Sequence, residues 1–506
     1  MTHTSHSGEQ QGGGTGRAAG AGAGADAAGA EPARAPAQDA APTGGPPGSR
    51  WRAVGPGIVV AATGVGAGDL VATLIAGSKF GYTLLWAAVI GCLVKISLAE
   101  AVGRWHLATG QTLFHGWRTL GPWTSWYFIG YVVIWGFVYG ATAMSSSALP
   151  LVALFPDFIG LKTWGVITGL VGLAFVWWGR YAVFEKAMTV LVGVMFVVVV
   201  YVAVRVGPDA GDSFAGLAPT LPDGSLLYTL GLIGGVGGTI TMAAYGYWVN
   251  AKGWTDTRWM RTMRLDNRVA YLTTGIFVVA MLIVGAELLH SADIALTKGD
   301  KGLLDLGDVL EDRYGTATAK LFLVGFFATS FSSLIGVWHG VSVMVADFAA
   351  NHRGGGVGRT AAGPPPGAAP AAAAPAVATA SAPQPGAHPA ADVATDSAPG
   401  EAPATPTDER TIGRHERSLP FRLYLLWLTF PPISLLFLDQ PFGLVIVYGV
   451  LGAFFMPFLA LTLLWLLNTS RTPRQWRNGP LSNGMLAVSG LLFLVLCVQQ
   501  VRELPW

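Results

Sequence analysis

Eleven apolar stretches, each near the ~20 residues that cross a bilayer as a helix, recur along the chain and leave it little choice of fold. They lie roughly at 55–79, 82–103, 124–149, 160–178, 182–206, 226–250, 269–290, 319–346, 421–438, 442–467 and 482–501. Lipid offers no partner to backbone N–H and C=O groups, so such segments span as α-helices that satisfy themselves. Charged residues make up only 12% of the sequence, against 52% hydrophobic; a soluble domain carries about 25% charged residues. The chain therefore reads as an all-α polytopic membrane protein.

One stretch is poorly suited to a continuous helix. The middle of the first span runs Gly64-Val65-Gly66-Ala67-Gly68-Asp69, three alternating glycines followed by an acid. Irregular backbone at membrane depth is tolerated only where protein or water covers it, and an intramembrane acid marks a functional site by default. The sixth span repeats the pattern: Gly231, Gly234, Gly235, Gly237 and Gly238 precede its centre and Gly246 follows. Span 1 and span 6 start from opposite sides of the membrane. Spans 1–5 and 6–10 then form inverted five-helix repeats, with an eleventh span added and spans 1 and 6 discontinuous. Paired interruptions at matching places in two halves point to the binding site of a secondary transporter. Glycine used for close helix packing explains either cluster alone, but not both in register.

Basic residues set the orientation. Arg50 and Arg52, Arg104 and Arg118, Arg180 and Lys186, the run Lys252 to Arg268, Arg414 to Arg422, and Arg471 to Arg477 fall in alternate gaps. The intervening gaps carry acid instead, as in Asp209, Asp212, Asp223 and Asp300 to Asp312. The expectation is a cytosolic N-terminus and an outside C-terminus. Residues 1–50 and 353–412 are Ala/Pro/Gly-rich and are expected to be disordered in the cytosol. They flank and divide a membrane core at 53–350 (spans 1–8) and 415–506 (spans 9–11). The tail composition suggests a GC-rich bacterial genome and hence a plasma membrane. No cleavable leader is visible, so the first span is expected to direct its own insertion. Cys92 and Cys497 sit in apolar runs and give neither a disulfide framework nor a thiolate metal site. The glycine clusters lie within spans rather than between a strand and a helix, which excludes a dinucleotide site. No nucleotide, nucleic-acid partner, cofactor or enzymatic activity is implied.

Gly55-Pro-Gly at the start of span 1 and Ala76-Gly-Ser-Lys-Phe-Gly-Tyr-Thr-Leu-Leu-Trp86 at its end resemble the first span of the Nramp family of divalent-metal transporters. Met242 and its surroundings are similar to that family's sixth span, and Ser332-Ser333-Leu-Ile-Gly336 with Val343-Met344 to its eighth. The resemblance covers 53–350 and, more weakly, 415–500. It implies a LeuT-type fold and proton-linked uptake of manganese or iron. The departures are specific. Where the family has Asp-Pro-Gly-Asn, this chain has Gly66-Ala67-Gly68-Asp69; where it has Met-Pro-His-Asn, this chain has Met242-Ala243-Ala244-Tyr245. The acidic residues that the family's third span uses for protons have no counterpart between Trp126 and Pro150, which offers Ser145-Ser146-Ser147.

Asp69 is the leading site candidate. A charge at mid-bilayer costs at least ~2.5–3.5 kcal/mol, to be offset by a bound cation or by pairing with Lys95. Met242 supplies a thioether that favours softer transition metals; the bland alternative is core filler. Gly66 and Tyr245, at the family's ligand positions, complete the expected cation site of Asp69, Met242, Gly66 and Tyr245. Gly64, Gly68, Gly237 and Gly238 are expected to give hinge freedom and backbone oxygens. His339 is expected to be a hydrogen-bonded packing residue, with a proton-carrying role as the alternative. The functional expectation is a secondary transporter importing a divalent cation of the Mn/Fe type by alternating access, with H+ or Na+ as coupling ion. A carrier of a small organic or amino-acid-like solute, or a receptor-like scaffold that no longer transports, stays open at this point.

Overall fold

The computed structural model describes residues 55–179, 181–235, 237–290, 300–352, 415–438 and 441–502. The segments 1–50 and 353–412, expected to be disordered, lie outside these residues. All regular structure among the described residues is helical.

Eight helices are long and apolar enough to cross a membrane by length and composition. They correspond to span 2 (Leu85–Thr109), span 3 (Pro122–Leu154), span 4 (Leu161–Trp178), span 5 (Tyr181–Val206), span 7 (Met260–Gly285), span 8 (Thr316–His352), span 9 (Leu419–Leu436) and span 11 (Pro480–Arg502). Span 10 is the helix Pro441–Asn468. The other two apolar stretches, spans 1 and 6, are in pieces, and each is the first member of its five-span half. Local signals set the ends. Proline, whose missing N–H is harmless in a first turn, opens span 3 at Pro122, and Gly110 ends span 2 in the left-handed conformation that favours glycine.

Spans 3 and 8 form the centre: their most apolar windows are 72% and 78% buried, whereas those of spans 4 and 11 are each 28% buried and face outward. Polar contacts join span ends that the alternation assigns to one side. Glu100, at the end of span 2, pairs with Arg104 at 3.1 Å and with Arg264 of span 7 at 2.9 Å. Arg104 also donates to Asn478 at 2.7 Å, between spans 10 and 11. At the opposite ends, Tyr82 donates to Glu287, and His290 Nδ1 lies 2.9 Å from the Ser78 carbonyl. Glu287 is half-buried by this contact.

Span 1 consists of a first half-helix Pro56–Gly64 (1a) and a second Ala67–Phe80 (1b). Between them Val65 and Gly66 are non-helical, with Val65 at φ −82°, ψ 81° and Gly66 extended at φ −105°, ψ −172°. Span 6 runs as Leu226–Gly235 (6a), then Gly237 and Gly238 at φ +68° and +94°, a 3₁₀ turn Ile240–Ala244 and the helix Tyr245–Ala251 (6b). Positive φ strains a residue with a Cβ, so the second interruption needs its two glycines. The interruptions meet backbone to backbone. A Cβ at Gly64 would fall 1.8 Å from Gly238 N and 2.1 Å from Gly237 C.

Gly64→Ala is therefore expected to lose about 3 kcal/mol or more of stability, because neither backbone can yield without separating the half-helices. Gly130→Ala, whose added methyl would meet nothing within 4 Å, should leave the thermal unfolding midpoint in detergent unchanged. Equal midpoints for the two variants would refute the backbone contact.

Candidate functional site

A helix interrupted in the membrane orphans the carbonyls of the turn before the break and the amides of the turn after it. Neighbouring spans supply the missing partners. Ser333 Oγ of span 8 donates to the Thr63 carbonyl at 2.9 Å. Because that bond uses the only Ser333 hydroxyl hydrogen, Tyr139 of span 3, 3.1 Å away, is the donor to Ser333 Oγ. Tyr271 OH of span 7 donates to the Gly237 carbonyl at 3.2 Å. Lys95 Nζ of span 2 donates to the Gly238 carbonyl.

A small cavity adjoins the break in span 1. It is lined by Gly66, Tyr139, Thr142, Ala143, Ser146, Ser330, Ser333 and Tyr448, and its roughly 10 Å³ is room for about one water molecule. The Ser330 hydroxyl is buried beside it with no hydrogen-bond partner among the described residues. Of the serine triplet in span 3, Ser145 and Ser147 bond to their own helix, at Thr142 O and Ala143 O, and Ser146 faces the cavity. This is a wall of neutral oxygens. It can hydrate or coordinate a small polar guest but brings no charge of its own.

The predicted residues are distributed as follows. Gly64 ends 1a and Gly66 lies in the break. Gly68 and Asp69 are the second and third residues of 1b, in the first turn that follows the irregular backbone rather than within it. The side chain of Asp69 lies outside the described residues. A negative charge in the first turn of a helix is favoured by the helix dipole, so the position suits an acid. Met242 is fully buried in the 3₁₀ turn that follows the break in span 6. Tyr245, expected at the ion, has its hydroxyl on Asp266 Oδ2 at 3.0 Å and on the Met263 carbonyl at 3.3 Å. It serves span 7 instead. His339 is buried as a packing residue: it receives Trp248 Nε1 at 3.3 Å, lies 2.9 Å from Glu416 and stacks on Phe184. Among the described residues no group of three or more His, Cys, Asp and Glu side chains forms a metal-binding cluster.

Sequence reasoning missed Asp266. Its carboxylate is fully buried and accepts Gly55 N at 2.8 Å, Gly57 N at 2.6 Å and Tyr245 OH at 3.0 Å. It thus caps the N-terminus of 1a and holds it to 6b and span 7. Beside it Lys252, just after 6b, pairs with Glu185 of span 5. At the other end of the bundle Tyr82 lies between spans 1 and 2. Burial first and the Glu287 carboxylate second push its phenol well above the usual tyrosine range, so it stays a donor.

Residues 57–354 match the family model described as "Natural resistance-associated macrophage protein-like" (Nramp). The chain is 27% identical over 325 residues to the divalent metal cation transporter MntH of Mycobacterium leprae, covering 58% of this chain and 70% of that one. It is 28% identical over 319 residues to MntH of Chromohalobacter salexigens, with the same coverage. The fold is similar to that of the manganese transporter of Eremococcus coleocola, with a TM-score of 0.64 at 17% identity over 90% of this chain and 89% of that one.

Asp266→Ala removes the acceptor of two buried amides and is expected to lower stability by about 3 kcal/mol. Hydrogen exchange should rise at the first amides of 1a, and Asp266→Asn, which keeps one carbonyl oxygen, should be milder on both measures. Unaltered exchange at Gly55 and Gly57 in Asp266→Ala would show that the cap does not hold 1a.

Proposed function

We propose that this chain, which belongs to the Nramp family, is a secondary transporter that carries a divalent metal cation of the Mn/Fe class across a bacterial plasma membrane by alternating access. The observation that carries the reading is the contact of two interrupted helices, Gly64 against Gly238, at matching places in the two halves of the bundle. Half-helices that meet through glycine backbone can tilt independently. Relatives described as divalent metal cation transporters give the substrate class. Nothing in those relatives favours an organic solute.

In this reading the ion sits where 1b begins and the 3₁₀ turn of span 6 ends. Asp69 supplies the negative charge. Met242 adds a soft sulfur that discriminates against Mg²⁺ and Ca²⁺. Gly66 stands where the family carries an aspartate and leaves room for backbone oxygens, while Gly64, Gly237 and Gly238 act as the hinge. Tyr245 contributes through Asp266 by holding 1a shut, not as a ligand. Span 3 contains no Asp, Glu or His from Pro122 to Leu154, so a proton taking the family's path would have no carboxylate to ride on. The arginine-rich gaps put the N-terminus in the cytosol and the C-terminus outside.

Uptake of Mn²⁺ into proteoliposomes tests the assignment. Wild-type flux should saturate and fall at least tenfold in Asp69→Asn, because the ion's only formal counter-charge is lost. Met242→Ala should keep Mn²⁺ flux within several-fold while admitting Ca²⁺. Absence of any divalent flux, together with thermal stabilisation by an amino acid or amine, would overturn the metal reading in favour of an organic solute.

A further inference from the structure

Lys95 has no part in the scheme above, yet its placement is unusual. The side chain is fully buried in the middle of span 2. Its ammonium donates to the carbonyl of Gly238, the residue that touches Gly64 of the opposing break, and lies 5.6 Å from the ring centre of Phe493 in span 11. A charged ammonium in a bilayer is costly to keep. The adjacent break residue is served differently: Gly237 O accepts from the Tyr271 hydroxyl. The two neighbouring carbonyls of one break are thus held by different chemistry, one by a neutral hydroxyl and one by a cation over an aromatic face.

We propose that Lys95 is the resident cation of the empty site. Its ammonium occupies the Gly238 carbonyl that an incoming metal ion needs, and the ion must displace it. This rests on the metal reading for the location of the ion. Lysine suits the task because its charge rides on a flexible four-carbon stem with three donors and can withdraw without moving the helix. Two consequences follow. Ions of low charge density cannot compete with a tethered ammonium, so Lys95 is a specificity-determining residue that raises the threshold for Na⁺ and K⁺ above that for a divalent ion. Once the metal leaves, the ammonium returns to Gly238 and takes the ion's place at that carbonyl, so the empty carrier can reset without a co-transported cation.

The test compares wild type, Lys95→Met and Lys95→Gln by calorimetric titration with Mn²⁺ and Na⁺. It also measures net Mn²⁺ uptake and Mn²⁺–Mn²⁺ exchange in proteoliposomes. Both variants should bind Mn²⁺ about tenfold more tightly, since a like charge has been removed from beside the ion, and should bind Na⁺ measurably. Exchange should persist while net uptake falls at least fivefold, because the emptied site has lost its substitute cation. Gln keeps a hydrogen-bond donor without the charge. If Lys95→Gln binds Mn²⁺ with wild-type affinity, or if either folded variant binds it more weakly, the lysine is a structural donor and the proposal fails. If the wild type binds no divalent ion but Lys95→Gln does, the lysine's role stands and the native metal reading falls. If no form binds Mn²⁺, both are refuted.

Discussion

Backbone that stops being helical inside a bilayer has nowhere to send its hydrogen bonds except to other parts of the protein. Two helices of this chain stop in that way, and they do so against each other. The turn before the first break is completed by Ser333, and the two carbonyls of the second by Tyr271 and Lys95. These partners come from spans 8, 7 and 2, so three helices must be in place before either break can exist. The packing around the joint follows from the same requirement. Gly336 of span 8 lies so close to 1a that a Cβ there would fall 2.1 Å from the Thr63 methyl, which is the approach Ser333 needs to reach the Thr63 carbonyl.

The charges divide into two groups with different work. At the ends of the bundle they pair with one another. Glu100 holds Arg104 and Arg264, and Lys252 holds Glu185. Asp266, near these, spends its charge on the N-terminal amides of 1a and so fastens that half-helix. Among the described residues the centre holds hydroxyls around the cavity, one thioether at Met242 and the Lys95 ammonium, with Asp69 of 1b as its proposed negative charge. In the proposed reading a cation arriving there meets oxygens, a sulfur and the Asp69 carboxylate, and displaces the Lys95 ammonium from Gly238. That sets this centre apart from one built on a cluster of carboxylates and imidazoles, and it agrees with the loss of the family's aspartate, histidine and asparagine at Gly66, Ala244 and Tyr245.

Membership of the Nramp family and the LeuT-type arrangement explain why so divergent a sequence keeps the same scaffold. The scaffold requires that two helices break and that their neighbours repair the backbone; it does not fix which side chains fill the gap. Glycine at 64, 237 and 238 preserves the first requirement, and the ligand positions are then free to change.

The spans, their number and the places where spans 1 and 6 fail were set by composition along the chain. Apolar length, arginine distribution and glycine spacing act locally and can be counted residue by residue. Where Gly68 and Asp69 fall relative to the break was less legible, since one turn of a helix resuming early or late leaves the same sequence pattern. The partners of the breaks were not legible at all. Asp266 reaches Gly55 across 211 residues and Lys95 reaches Gly238 across 143, and a lone polar residue in an apolar helix has the same local appearance whether it caps a neighbour or fills a gap. Tyr245 shows the limit best: its position matched a ligand, but packing turned its hydroxyl to Asp266. Tertiary structure alone chooses among such partners, because a hydrogen bond depends on which atoms come within 3 Å in space, and sequence order does not record that.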